Sequence, residues 1–248
     1  MTFGLFERPC VRRMMVIKSL SWSCPMNFRL PLLFVVLFLG GCFGINSDVD
    51  VADGANVDRG LGTVNGSVQI GRDATVDGDV ESVNGSVSVG ANTAVAGNVT
   101  TVNGKISLGA GASAIEVAGV NGSVYIGENA SVERNVDTVN GLVVIEAGAV
   151  VGERVSSVNG PIRLEGATAG SIRNNNGGIT LERGSRVLGE LRVAKSRFAN
   201  ADEPVTVVIH DECEVTGPLI FERSVTLRIH HGATVGEIQG AEAEYFND

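Results

Sequence analysis

Aromatic side chains are almost missing from the middle of this sequence: between Gly44 and Arg197, Tyr125 stands alone. Glycan-cleaving clefts usually offer aromatic platforms beside clustered acids, so no such active site is expected here. Histidine is missing too. None occurs from Ile45 to Ile209, so no histidine base can act from that stretch. Of four cysteines, Cys10 and Cys24 precede an apolar segment, Cys42 closes it, and only Cys213 remains, which excludes a disulfide framework. Basic residues are short as well. Beyond residue 41 there are 14 against 27 acidic ones, a net charge of about −13. That balance argues against nucleic acid and against anionic lipid surfaces as partners.

The apolar segment is the first positive signal. Leu30 to Leu39 is a run of ten, preceded by Arg29 and followed by Gly40-Gly41-Cys42, the layout of a secretory signal peptide. It is too short to span a bilayer comfortably. Leu39-Gly40-Gly41-Cys42 resembles the lipobox of bacterial lipoproteins. The resemblance implies lipidation at Cys42, removal of residues 1–41, and an acyl anchor whose buried methylenes contribute about 0.8 kcal/mol each. Phe43 follows the cysteine rather than the Asp that resembles an inner-membrane retention signal, so an outer-membrane destination is expected. The 25 residues before Met26 do not fit a lipoprotein n-region, whereas Met26-Asn27-Phe28-Arg29 does, which points to Met26 as the true start.

The rest of the sequence is dominated by a repeat. Val-Asn-Gly recurs at Val64, Val83, Val102, Val120, Val139 and Val158, in steps of 19, 19, 18, 19 and 19. Asn175-Asn176-Gly177 is a degenerate copy, and Ile45-Asn46-Ser47 stands 19 residues before the first clear one. Within each copy the pattern alternates, as in Val64, Gly66, Val68 and Ile70, followed by Ala74, Val76 and Val80. Period two means strand, and β-branched residues with glycine disfavour helix. One such unit cannot bury its apolar side, but aligned copies stack valine on valine. The expectation is an all-β fold: a single-stranded parallel β-helix of about ten turns over residues 45–240, with right-handed coiling preferred.

Asparagine and glycine tolerate the left-handed backbone of a sharp corner, and stacked asparagine amides can hydrogen-bond along the axis. A structural ladder is therefore predicted through Asn65, Asn84, Asn103, Asn121, Asn140, Asn159 and Asn176. The competing arrangement is an antiparallel meander of Asn-Gly hairpins; the near-constant spacing favours stacking. Residues 42–44 read as the lipidated cysteine and a minimal linker. Residues 191–203 read as a loop insertion. After it Val205-Val207-Ile209 and Val225-Leu227-Ile229 resume the pattern at a spacing of 20, and 241–248 reads as an acidic tail blunting the last edge.

Runs such as Val68-Gln69-Ile70-Gly71-Arg72-Asp73-Ala74-Thr75-Val76 and Ile126-Gly127-Glu128-Asn129-Ala130-Ser131-Val132 resemble the coils of bactofilins, the polymer-forming cytoskeletal family. That resemblance implies a right-handed β-helix joining end to end into filaments, although bactofilins usually lie on the cytoplasmic face and this sequence carries an export signal. The Thr63-Val64-Asn65-Gly66-Ser67-Val68 style of repeat is also similar to adhesin-like β-solenoids of the bacterial envelope. Val64, Ile70 and Val76 fall six apart, as in hexapeptide acyltransferases, but members of that family share a catalytic histidine on a coil and use cytoplasmic acyl donors.

Two groups outside the repeat could carry chemistry. Asp48, Asp50 and Asp53 cluster in the first turn, as a solvated edge or a calcium site. His210-Asp211-Glu212-Cys213 matches His230-His231 at +20, which predicts His210 on His230 and Asp211 on His231; His210 and His230 could then hold a divalent metal, and plain surface histidines are the commoner outcome. No cofactor is expected. The outward row Gln69, Ser88, Ser107, Tyr125, Val144, Arg163 and Thr180, with its neighbour Ser67, Ser86, Lys105, Ser123, Leu142 and Pro161, is nearly uncharged and is the candidate partner face. The sequence thus suggests a non-enzymatic, membrane-anchored lipoprotein, a scaffold of the cell envelope that self-associates. The alternative is an adhesive module holding envelope glycan or protein.

Overall fold

A computed structural model describes residues 42–195 and 203–247. The proposed signal peptide and the centre of the proposed insertion lie outside the described residues. What is described is a parallel β-solenoid of about ten turns, without a helix.

One turn shows how the sequence builds it. Val80–Asn84 forms a strand on what we term face A, a corner at Gly85-Ser86 leads to Val87–Val89 on face B, and a second corner leads to Ala94–Val95 on face C. Each strand then pairs in parallel with its counterpart one turn on. Val87 pairs with Ile106 and Val89 with Leu108 on face B, and Val80 pairs with Val99 on face A. Face B is an 11-stranded parallel sheet. Faces A and C merge into one sheet because Val150–Ser157 and Thr168–Asn174 run through the corner between them.

The interior consists of columns of one residue class. Val68, Val87, Ile106, Val124, Val143, Ile162 and Ile179 are stacked in register and fully buried. Each such side chain contributes about 1.5 to 3 kcal/mol. A corner column of small residues, Ala74, Thr93, Ala112, Ala130, Ala149, Ala167, Ser185 and Cys213, is buried too. Burial pushes the Cys213 thiol above its ordinary value, so it packs as a small apolar group rather than as a nucleophile.

The alternation inferred from Val64 through Gly66 to Val68 does not hold across the corner. The strand Leu61–Asn65 buries Leu61 and Thr63, and Val64 points outward, half-buried. Parity resets at Gly66 because a corner, unlike a strand, does not preserve the period of two. The inward position is instead taken by Thr63, Ser82, Thr101, Thr138 and Ser157. The first three hydroxyls donate to the corner carbonyls of Ser47, Gly66 and Gly85 at 2.9, 3.0 and 2.9 Å, which satisfies both buried partners.

The reason for glycine at this corner also differs from the expectation. Among the described ladder asparagines only Asn46 has positive φ (58°). The left-handed residues sit at the next corner, between faces B and C, at Gly54, Asp73, Asn92, Gly111 and Asn129. At the asparagine corner the constraint is contact between turns: a Cβ on Gly85, Gly104, Gly122 or Gly141 would overlap the carbonyl oxygen of the glycine one turn before.

The ends of the coil extend past the boundaries read from the sequence. Cys42–Gly44, read as a linker, pairs with Leu61–Thr63 as the first strand of face A. Leu191–Val193, read as part of the insertion, is a regular strand between Ile172–Asn174 and Leu219–Phe221. Ala243–Phe246, read as tail, is the last strand of face B, paired with Leu227–His230. In both later cases strand hydrogen bonding outweighs the charge and loop composition that suggested otherwise.

Candidate functional site

The asparagine corner is the most regular polar feature. Each Nδ2 donates to the Oδ1 one turn earlier: Asn65 to Asn46 at 2.6 Å, Asn84 to Asn65 at 2.8 Å, Asn103 to Asn84 at 2.8 Å and Asn121 to Asn103 at 2.9 Å. Asn140, Asn159 and Asn176 continue the chain at 2.8, 2.7 and 2.7 Å. All the amides point the same way, so the carbonyl of Asn176 is the acceptor end. Arg223 meets it. Its Nη1 donates to Asn176 Oδ1 at 2.8 Å and to the Asn175 carbonyl at 3.1 Å, and its Nη2 donates to the Glu203 carbonyl at 2.8 Å.

The register explains why an arginine does this. Asn174, Val193 and Phe221 are successive partners, so two residues on, Asn176, Lys195 and Arg223 occupy equivalent places. Where Lys195 would continue the ladder the chain departs toward residue 203. The long side chain of Arg223 reaches back over the skipped turn and ties the returning chain to the ladder end. Nothing in the local sequence signals this role, because the partners stand 47 and 48 residues away.

Exposed amides contribute modestly but here in series. Replacing Asn103 with alanine removes two ladder bonds and is expected to cost about 1 to 2 kcal/mol in urea denaturation. The same change at Asn98, outside the ladder, provides the comparison.

The outward row of face B is assembled as continuous register: Gln69 on Ser88, Ser88 on Ser107, Ser107 on Tyr125, Tyr125 on Val144 and Val144 on Arg163. Gln69, Ser88 and Arg163 are exposed, and Ser107, Tyr125 and Val144 are half-buried. The neighbouring Lys105 places its ammonium 4.1 Å from the Tyr125 ring centroid. That contact covers the one aromatic of the row with a cation.

Face A presents two outward columns. In the first, Gly62, Glu81, Thr100, Ala118, Asp137, Ser156 and Arg173 follow in register. In the second stand the repeat valines, of which Val64, Val83, Val102, Val120 and Val139 are half-buried and Val158 is 38 % exposed. Desolvation, with Asp79 adding repulsion, pushes the Glu81 carboxyl up to about 7. Burial also raises Asp137, against the opposing effects of a hydrogen bond from Ser156 and of Arg154 4.0 Å away. At the far end Arg192 bridges Glu190 at 3.0 Å and Glu222 at 2.5 Å.

Because Glu81 titrates higher in the folded chain than its ordinary 4.5, its contribution to stability is full below about 4.5 and is lost as pH rises through about 7. In the monomeric chain Glu81→Gln is therefore expected to raise the melting temperature at pH 8 and to leave it nearly unchanged at pH 4, measured by thermal denaturation at a concentration where no dimer forms.

The first-turn acids serve the backbone. Asp48 Oδ1 accepts from the Ser67 N–H at 2.7 Å, and Asp53 Oδ1 accepts from the Arg72 N–H at 2.8 Å. At the other end, pairing of Ile209 with Ile229 brings His210 and His230 to successive turns. Phe246 stands edge-on to both rings, at 5.8 and 5.3 Å between centroids. The sequence places Asp211 on His231. In the structure Asp211 lies 3.3 Å from His230 Nδ1, and His231 stacks on Tyr245 at 5.5 Å. Among the described residues no three His, Cys, Asp or Glu side chains converge as metal ligands. Cys42 enters as the first residue of the first strand.

No family model matches this chain, no curated protein matches it, and no solved structure matches it at a significant level.

Proposed function

We propose that this chain is a non-enzymatic lipoprotein, held in the cell envelope by acylation of Cys42, whose β-solenoid serves as a self-associating scaffold. The observation that carries this reading is the absence of any spacer between the lipobox-like Leu39-Gly40-Gly41-Cys42 and the coil, since Cys42 itself opens the first strand. An acyl group on that thiol joins the coil to the membrane surface at its first turn. The stacked polar residues support a structural role: asparagines, threonines and first-turn aspartates are bonded to the neighbouring turn rather than grouped around a cleft.

The bactofilin-like resemblance would make the contacts end to end. The charges disfavour that geometry. The first turn carries Asp48, Asp50 and Asp53, and the last carries Glu237, Glu242 and Glu244, so stacked ends would bring like charges together. Lateral contact between coils is the better-supported mode.

The test is metabolic labelling with a palmitate analogue in a bacterium expressing the full chain, followed by membrane fractionation and in-cell cross-linking. Label and membrane association that disappear in Cys42→Ala, with cross-linked multimers in the wild type, are the expected result. An unlabelled wild-type chain overturns the anchor. A labelled chain that cross-links only to itself as a monomer and is retained on peptidoglycan or glycan favours the adhesive module instead.

A further inference from the structure

Face A holds two charged side chains that make no hydrogen bond or ion pair among the described residues. Glu81 is a half-buried carboxylate for which the described residues supply no hydrogen bond or ion pair, and the charge that acts on it, Asp79, is of like sign. Arg173 is an exposed guanidinium without a hydrogen bond or ion pair among the described residues, and the carboxylates near it, Glu190 and Glu222, are engaged by Arg192. Both lie in one outward column, five turns apart in unbroken register. At the strand spacing of a sheet that is about 24 Å.

Between them the column is small and nearly neutral: Thr100, Ala118, the Asp137 carboxylate already bonded by Ser156, and Ser156 itself. Beside it runs the valine column that the sequence alone assigns to the interior. Six outward valines repeated at one position on a flat parallel sheet give an apolar strip that solvation does not explain.

We propose that face A is the contact between two copies of this chain, packed antiparallel about a two-fold axis that lies in the plane of contact, perpendicular to the solenoid axis and level with the gap between the turns of Ala118 and Asp137. This deepens the scaffold reading, on which it rests, by naming its surface and symmetry. Reversing the column about that point sets Glu81 of each copy against Arg173 of the other, twice. It sets Val120 on Val139 and Val102 on Val158, and Thr100 on Ser156. An isologous contact needs such self-complementarity, with charges of opposite sign at mirrored distances from the axis and apolar residues between them. A parallel arrangement would place Glu81 on Glu81 and Arg173 on Arg173.

The test is charge reversal on the full chain in detergent, read by sedimentation velocity at pH 8, where Glu81 is ionised. Glu81→Arg and Arg173→Glu are each expected to weaken dimerisation at least tenfold, and the double variant to recover it to within about threefold of the wild type. Both positions face outward, and unchanged circular dichroism separates a lost contact from a lost fold. Val120→Lys, at the centre, is expected to dissociate the pair and is not recovered by either charge change. Single variants that dimerise as the wild type does, or a double variant as weak as the singles, overturn this face while leaving a scaffold built on another one. A wild-type chain that stays monomeric in detergent and uncross-linked in cells overturns both.

Discussion

Replacing Gly104 with valine is expected to abolish the cooperative unfolding transition, a loss of more than about 4 kcal/mol, larger than any single change on the outer surface. The glycine column at the asparagine corner brings backbone within van der Waals contact of backbone, and an added Cβ would stand 2.2 Å from the Gly85 carbonyl oxygen. That oxygen accepts the Thr101 hydroxyl at 2.9 Å, so it cannot turn aside without stranding a buried hydroxyl. Turns on both sides are fixed by core columns, which leaves nowhere for the strain to go. The comparison is Gly54→Ala. Its φ of +68° makes alanine costly by about 1 kcal/mol, but nothing stands within 4 Å of the new carbon. Chemical denaturation of the two variants separates crowding between turns from backbone conformation. Equal, small losses would remove close stacking as the reason for the glycines.

Val124→Asp is the second large effect. Val124 is wholly buried, paired with Ile106 below and Val143 above. A carboxylate there has apolar neighbours on both turns and no donor within its column. The variant is expected to lose several kcal/mol at pH 7, or to fail to fold. The pH dependence identifies the cause. Burial raises the folded-state value of the new acid, so the deficit shrinks as pH falls below that value and is largest above it. Val124→Asn, which carries no charge, is expected to show a loss that does not vary with pH. A Val124→Asp deficit equally insensitive to pH would mean that the site admits water.

The parts of this fold that repeat a residue type at a fixed step are visible in the sequence, because stacking in register demands identical neighbours. The asparagine spacing and the buried Val68 and Val76 columns belong to this class. What hid was whatever depends on corner geometry. A period of two carried through Gly66 puts Val64 inward, and nothing in that pattern marks Thr63, although threonine or serine precedes the repeat valine in five of the six copies. A β-branched polar residue reads as outward until the corner carbonyl it bonds is known. Leu191–Val193 and Ala243–Phe246 lack the Asn-Gly signature, and only pairing reveals them as strands. Arg223 was illegible for a different reason: its role exists only because the intervening turn leaves the ladder.

Turn length also shows where the architecture yields. Partners stand 19 residues apart from Val68 to Val87, 18 apart from Ile106 to Val124, 17 apart from Ile162 to Ile179 and 20 apart from Val205 to Val225, yet the strands stay in register. One residue is lost within a strand, where the register shifts between Val151 and Arg154, and the longest step is the 28 residues from Ile179 to Val207. Apart from Arg223, which reaches two turns back to Asn175 and Asn176, each turn is therefore held by the one beneath and the one above. Copying or excising one whole turn moves the far end by a single strand spacing, about 4.8 Å, and leaves each remaining neighbour as it was. Reach from the point of attachment is a digital quantity here, set by how many times one short unit has been written.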